Sequence, residues 1–193
     1  MLNTTMASNI EIKARLRDRA AAEAVAHRLR ALGPEVIHQE DIFFRCDGAR
    51  LKLRIFAPDH GELIRYKRAD TRGPRLSSYT IAPTADPRAL LEILRETLGQ
   101  FGTVKKRRTL YLVEQTRVHL DEVEGLGDFM ELEVVLRPGQ SEAEGQAIAE
   151  ELLKQFAITP EDLVARPYLE LLNDSLIATE ERDHYNSADA QRR

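Results

Sequence analysis

TRVHLDEVEGLGDFMELEVVL, residues 116–136, alternates in two runs on either side of the turn-rich EGLGD. A period of two over each run predicts two β-strands, and the short connection predicts that they pair antiparallel. In the first run Arg117, His119 and Asp121 share one face. In the second, Glu131 and Glu133 fall together with Phe129 and Val135, while Met130, Leu132, Val134 and Leu136 make an apolar row. The second strand therefore offers a core one face and sends carboxylates to the other.

The same pattern repeats outward along the chain. SNIEIKARLRD, residues 8–18, sets Ile10, Ile12, Ala14 and Leu16 against Asn9, Glu11, Lys13 and Arg15. EVIHQEDIFFRC and ARLKLRIF predict two strands around the turn signal DGA, GELIRYKRA a fourth, PRLSSYTIAP a fifth and TVKKRRTLYLVEQ a sixth. Helices are predicted from Asp18 through RAAAEAVAHRLRAL, ended by Gly33 and Pro34, and from the Asp86 cap through Pro87 to Gly99. A third follows Ser141, whose partner Glu144 completes a capping box, and TPEDLVARPYLELL reads as a short helical finish. About eight strands in hairpin-like succession, interrupted by helices, indicate an α+β fold: an antiparallel barrel or strongly curved sheet with helices outside.

A chain of 193 residues builds one domain with a real core, expected over residues 9–176, with a disordered lead over 1–8 and a disordered tail over 177–193. The net charge of −4 argues against a general nucleic-acid surface, and the single Cys46 excludes an internal disulfide and a cysteine-based zinc site. No run approaches the apolar length of a membrane span, so a cytoplasmic protein with no membrane partner is expected.

The charges sort by strand. Arg50, Lys52 and Arg54 share one face, Arg65 and Lys67 another, and Lys106 and Arg108 a third, with Lys105 and Arg107 turned away. On any one strand this describes a solvated outer face. Together the strands argue otherwise, because purely basic rows on hairpin neighbours repel one another. Such rows make sense around a polyanion, and carboxylates at one side make sense around a divalent cation that touches it. His119 serves equally as a hydrogen-bonded structural histidine or a general base. His27, His38 and Cys46 read as surface or packing residues, and Leu90, Leu91, Ile93 and Leu94 as a helix face on the barrel.

These motifs resemble the CYTH superfamily, the triphosphate tunnel metalloenzymes, in its class IV adenylyl cyclase-like branch. The E-x-E-x-K signature corresponds to Asn9-Ile10-Glu11-Ile12-Lys13, and the second-strand element to QEDIFF at 39–44. LKLR, RYKR, the Lys106–Arg108–Tyr111 element, LDEVEGLGDFMELE and PYLELL follow in the family's order. The resemblance implies a closed eight-stranded antiparallel barrel around a triphosphate tunnel. It assigns phosphate binding to Lys13, Lys52, Arg54, Arg65, Lys67, Lys106 and Arg108, with Arg15, Arg75 and Arg117 added by strand parity. It assigns Mg²⁺ or Mn²⁺ to Glu11, Glu131 and Glu133, with Asp121 either a second-metal ligand or an organiser of the basic side chains. The catalytic set it implies is Lys13, Arg65, Lys67, Arg108 and Asp121.

By resemblance the protein is an adenylyl cyclase that converts ATP to cyclic AMP and pyrophosphate. The alternatives are a triphosphatase acting on inorganic triphosphate, thiamine triphosphate or a nucleotide, and a non-catalytic triphosphate or polyphosphate binder. Asn9 keeps the last alternative open, because it removes one carboxylate from the signature. The family also implies a homodimer.

Overall fold

The computed structural model describes residues 7–175. Eight strands close into a barrel: β1 (Ala7–Arg15), β2 (Leu32–Phe44), β3 (Arg50–Ala57), β4 (His60–Arg68), β5 (Arg75–Thr84), β6 (Gln100–Val113), β7 (Thr116–Val123) and β8 (Gly127–Val135). Their order around the barrel is β1-β5-β4-β3-β2-β6-β7-β8, and every neighbouring pair is antiparallel. Closure removes the sheet edges, so each strand has only an inner and an outer face.

The outer face is apolar where helices cover it. Ile10 and Ile12 of β1, Val118 and Leu120 of β7, and Met130, Leu132 and Val134 of β8 pack against α1 (Arg19–Arg28) and α3 (Glu142–Gln155). Ile42 and Phe44 of β2 with Leu53 and Ile55 of β3 pack against Leu91 and Leu94 of α2 (Pro87–Leu98). The helix caps form as the sequence predicts: Asp18 accepts from the Ala21 N–H, Asp86 from the Ala89 N–H, and Ser141 and Glu144 make the reciprocal capping box.

Two boundaries differ from expectation. α1 stops at Arg28, because Arg30 takes a left-handed φ of 54° and the chain enters β2 at Leu32. Gly33 and Pro34 therefore lie within β2, where its register against β6 shifts between Leu32 and Glu35. The predicted finish divides into a short 3₁₀ turn at Pro160–Asp162, a bridge from Leu163 to Ala14, and a helical stretch at 168–175. That stretch lays Tyr168 and Leu169 against Phe43, Val104, Val123 and Phe129, covering one end of the barrel. The expected lead and tail lie outside the described residues, apart from Ala7 and Ser8, which open β1. Among the described residues no helix is long and apolar enough to cross a membrane.

Candidate active site

The barrel encloses a cavity of about 340 Å³, within the range typical of small-molecule sites. Alternation decides what lines it. Asn9, Glu11 and Lys13 come from β1, Gln39 and Asp41 from β2, Lys52 and Arg54 from β3, Tyr66 and Arg68 from β4. Lys106 and Arg108 come from β6, Arg117 and His119 from β7, and Glu131 and Glu133 from β8.

The charges inside form paired networks, as desolvated ions must. Asp41 accepts from Lys52 Nζ at 2.9 Å and from Arg54 Nε at 2.8 Å. Burial would raise its pKa, but Arg54 and Lys52 outweigh that and hold the carboxyl far below its ordinary range. Asp121, with no solvent exposure, accepts from Arg108 Nε and Nη2, both at 2.6 Å, from Lys106 Nζ at 2.8 Å and from the Tyr168 hydroxyl at 3.2 Å. Glu11 accepts from Arg68 and from Arg75 Nη2, the latter at 3.2 Å.

Glu131 and Glu133 are each held by an arginine: Arg108 Nη2 donates to Glu131 Oε2 at 2.6 Å and Arg117 Nε to Glu133 Oε2 at 2.8 Å. Burial pushes Glu133 up, and His119, Arg117 and Arg108 together bring it down to about 2. Burial similarly opposes ionisation of Glu131, and Lys106, Lys13 and Arg108 hold it well below the usual range. The lysines are tuned the other way. Burial pushes Lys13 down to about 8 despite Glu131, and burial with Arg54 pushes Lys52 to about 8 despite Asp41. Burial, reinforced by Arg108, drives His119 down to about 3, so its imidazole is neutral at physiological pH.

The donor set fits a divalent cation. Ligand atoms of His119, Glu131 and Glu133 all lie within 4.8 Å of one another. Glu11 stands directly across from Glu133 in the β1–β8 register, a like-charge pairing that a cation would relieve. The Asn9 Oδ1, also lumenal, is buried without a hydrogen-bond partner.

The chain matches the CYTH domain over residues 7–168. It belongs to the CYTH domain family. Adenylate cyclase CyaB of Aeromonas hydrophila is 27% identical over 186 residues, covering 90% of this chain and 93% of its own length. PH1012 of Pyrococcus horikoshii OT3 shares the fold with a TM-score of 0.75 at 24% identity, covering 85% of this chain and 99% of that one. HpAC1 from Hippeastrum, described with a dominant triphosphatase activity, shares it with a TM-score of 0.53 at 20% identity, covering 78% and 88%. CYTH proteins bind triphosphate substrates, and CYTH enzymes of the tunnel type use divalent metals.

Within this CYTH barrel, most residues named from the sequence converge on the lumen: Glu11, Lys13, Lys52, Arg54, Lys106, Arg108, Arg117, Glu131 and Glu133. Arg65 and Lys67 do not. The β3–β4 register pairs Lys52 with Ile64 and Arg54 with Glu62, so the lumenal row of β4 is Glu62, Ile64, Tyr66 and Arg68. Arg65 pairs instead with Leu51, and both it and Lys67 are exposed on the outer face. The phosphate-binding and catalytic expectations for these two residues are corrected accordingly. Arg15 lies exposed at the barrel end, its guanidinium 5.1 Å from the Phe129 ring centroid, and is not part of the lining. Asp121 is not among the lumen-lining residues, and its oxygens accept from Lys106, Arg108 and Tyr168. It joins Lys106 and Arg108 in one hydrogen-bonded cluster.

Four lumenal positions escaped the sequence: Asp41, Tyr66, Arg68 and Tyr168. Asp41 sits in the QEDIFF element, where its place on the β3-facing row was the available signal. Arg68 and Tyr66 were hidden by the wrong parity for β4, and Tyr168 by its place in the chain's helical finish rather than on a strand. Tyr168 lies with Lys13 Nζ 3.8 Å and Lys106 Nζ 4.9 Å from its ring centroid, both within cation–π range.

Proposed function

We propose that this CYTH protein is a divalent-metal-dependent adenylyl cyclase that holds the triphosphate of ATP inside the barrel and releases cyclic AMP and pyrophosphate. The observation that carries the proposal is the division of the lumen. Lys52 and Arg54 of β3 with Lys106 and Arg108 of β6 crowd the wall on either side of β2, while Glu131 and Glu133 of β8 stand together beside His119, with Lys13 of β1 paired to Glu131. A polyanion with its own metal satisfies both halves.

Glu131 and Glu133 would hold the metal, with Asn9 and Glu11 lining the same wall. When bound, the ion would neutralise phosphate charge and orient the attacking oxygen. The chain's own residues do the rest. Lys52 and Arg54, fixed by Asp41, and Lys106 and Arg108, fixed by Asp121, meet the phosphates as a preorganised cationic cradle. Because these donors are already oriented, little reorganisation is needed as charge builds on the leaving pyrophosphate. The ribose 3′-hydroxyl releases its proton to solvent as its oxygen bonds to the α-phosphorus, and the bond from that phosphorus to the α–β bridging oxygen breaks to free pyrophosphate, chemistry in which positioning and charge neutralisation supply most of the rate.

Adenylate cyclase CyaB, matched nearly end to end, supports cyclisation. The described activity of HpAC1 supports a second reading, hydrolysis of a triphosphate by a water in the same cradle. Purified protein incubated with ATP and Mg²⁺ or Mn²⁺ separates them by chromatography. Cyclic AMP with equimolar pyrophosphate is expected. Phosphate release from ATP or inorganic triphosphate without cyclic AMP would establish the hydrolase instead. Tight triphosphate binding without turnover under either metal would make the protein a binder.

A further inference from the structure

The two carboxylates of the proposed metal site are hydrogen-bonded by arginines, yet nothing in the protein satisfies the imidazole on the neighbouring strand, across from Glu131. His119 Nδ1 is buried without a hydrogen-bond partner, and its side chain is only 5% exposed. It faces Glu133 Oε1 at 3.8 Å, too far for a hydrogen bond. An orphaned imidazole nitrogen inside a polar lumen is costly unless something absent from the protein completes it. Arg108 and Arg117 engage the Oε2 atoms of Glu131 and Glu133, leaving Glu133 Oε1 outside those bonds, while Glu131 Oε1 faces the Lys13 ammonium at 3.4 Å, a cation that an incoming metal would have to displace. Ligating carboxylates are ordinarily hydrogen-bonded in turn by outer partners, a part that Arg108 and Arg117 can fill here.

We propose that His119 is a metal ligand through Nδ1, and that it biases the site toward Mn²⁺ and other first-row ions over Mg²⁺. The inference rests on the metal-dependent reading above. Ligand atoms about 2.1 Å from one ion stand no more than about 4.2 Å apart, so a trio spread over 4.8 Å closes with shifts of roughly half an ångström. The charge also balances. Asn9 stands where the signature carries a carboxylate, which leaves Glu131 and Glu133 to offset a divalent ion and makes room for a neutral nitrogen donor. Mg²⁺ favours an all-oxygen shell and retains its waters, whereas imidazole suits the later divalent ions.

Pulsed EPR on the full-length protein loaded with Mn²⁺ tests this directly. Coupling of the manganese to a ¹⁴N nucleus is expected, changing to the ¹⁵N pattern when histidine alone is isotopically labelled. His119→Asn places an amide near the position of Nδ1 and should abolish that coupling. In metal titrations it should also lower the Mn²⁺-over-Mg²⁺ affinity ratio by about tenfold. Should the variant fail to fold, the labelled wild-type spectrum still decides, because only a histidine ligand produces the isotope change. Bound Mn²⁺ without histidine coupling would overturn the assignment of His119 and leave the metal-dependent function standing. No Mn²⁺ bound, with or without inorganic triphosphate, would overturn the function proposal itself.

Discussion

Glu131 and Glu133 sit two residues apart on one strand, so both reach the same point of the lumen, and each is already fixed by an arginine. Replacing either with Gln keeps the shape and removes the charge. Glu131→Gln and Glu133→Gln should each cost more than the roughly 10–100-fold in metal affinity typical of an outer-shell change. Calorimetric Mn²⁺ titration would measure this, with unchanged far-ultraviolet circular dichroism as the fold control; unchanged affinity in both would remove them as ligands. Arg54 and Lys67 provide a second residue-level comparison. Arg54→Gln should weaken inorganic triphosphate binding by at least about tenfold, since hydrogen bonds to charged groups contribute about 1.5–3 kcal/mol. Lys67→Gln, on the outer face, should leave binding within twofold. The sequence was informative wherever a row was uniformly charged, as in LKLR and MELEV, because strand parity then admitted one lumenal set. In RYKR basic residues occupy both parities, Arg65 and Lys67 on one and Arg68 on the other. Only the register with β3 distinguishes them.

At the scale of elements, the helices are fixed to the barrel by close approach as much as by apolar area. Gly145 lies in α3 against β1, and a Cβ there would come within 2.5 Å of Leu136 Cδ2 and 2.7 Å of Ile10 Cγ1. Ala is ordinarily the better helix residue by up to about 1 kcal/mol. Here the sign should reverse. Gly145→Ala should destabilise by about 1–3 kcal/mol as an overpacked contact, read as a lower midpoint in urea at unchanged m-value. A stabilised variant would mean that α3 shifts freely over β1. The caps that position these helices, Asp18, Asp86 and the Ser141–Glu144 box, were legible because capping is local chemistry. The early end of α1 was not. It depends on Arg30 adopting a left-handed φ so that β2 can reach β6, a tertiary demand that local propensity does not encode.

For the molecule as a whole, closing a barrel around so many charges couples folding and ligand binding to pH in opposite directions. Lys52 has an ordinary pKa of 10.5 when exposed and about 8 in the folded barrel, because burial and then Arg54 disfavour its charge. Between these values the unfolded chain holds a proton that the folded chain has lost. Stability therefore rises with pH across that window, through this residue. Asp41 stays ionised and Arg54 charged throughout, so neither cancels the effect. Phosphate binding requires the protonated amine, and its contribution is lost as pH climbs through about 8. Thermal unfolding of the ligand-free protein should accordingly move to higher temperature from pH 7.5 to 9.5, while the extra stabilisation by saturating inorganic triphosphate shrinks. Lys52→Arg isolates the residue, because a guanidinium keeps its charge across the window. Relative to that variant, wild-type affinity should fall by up to about tenfold per pH unit above 8. Parallel pH profiles for the two proteins would mean that Lys52 holds its proton in the folded barrel, and that Asp41 rather than burial sets its charge.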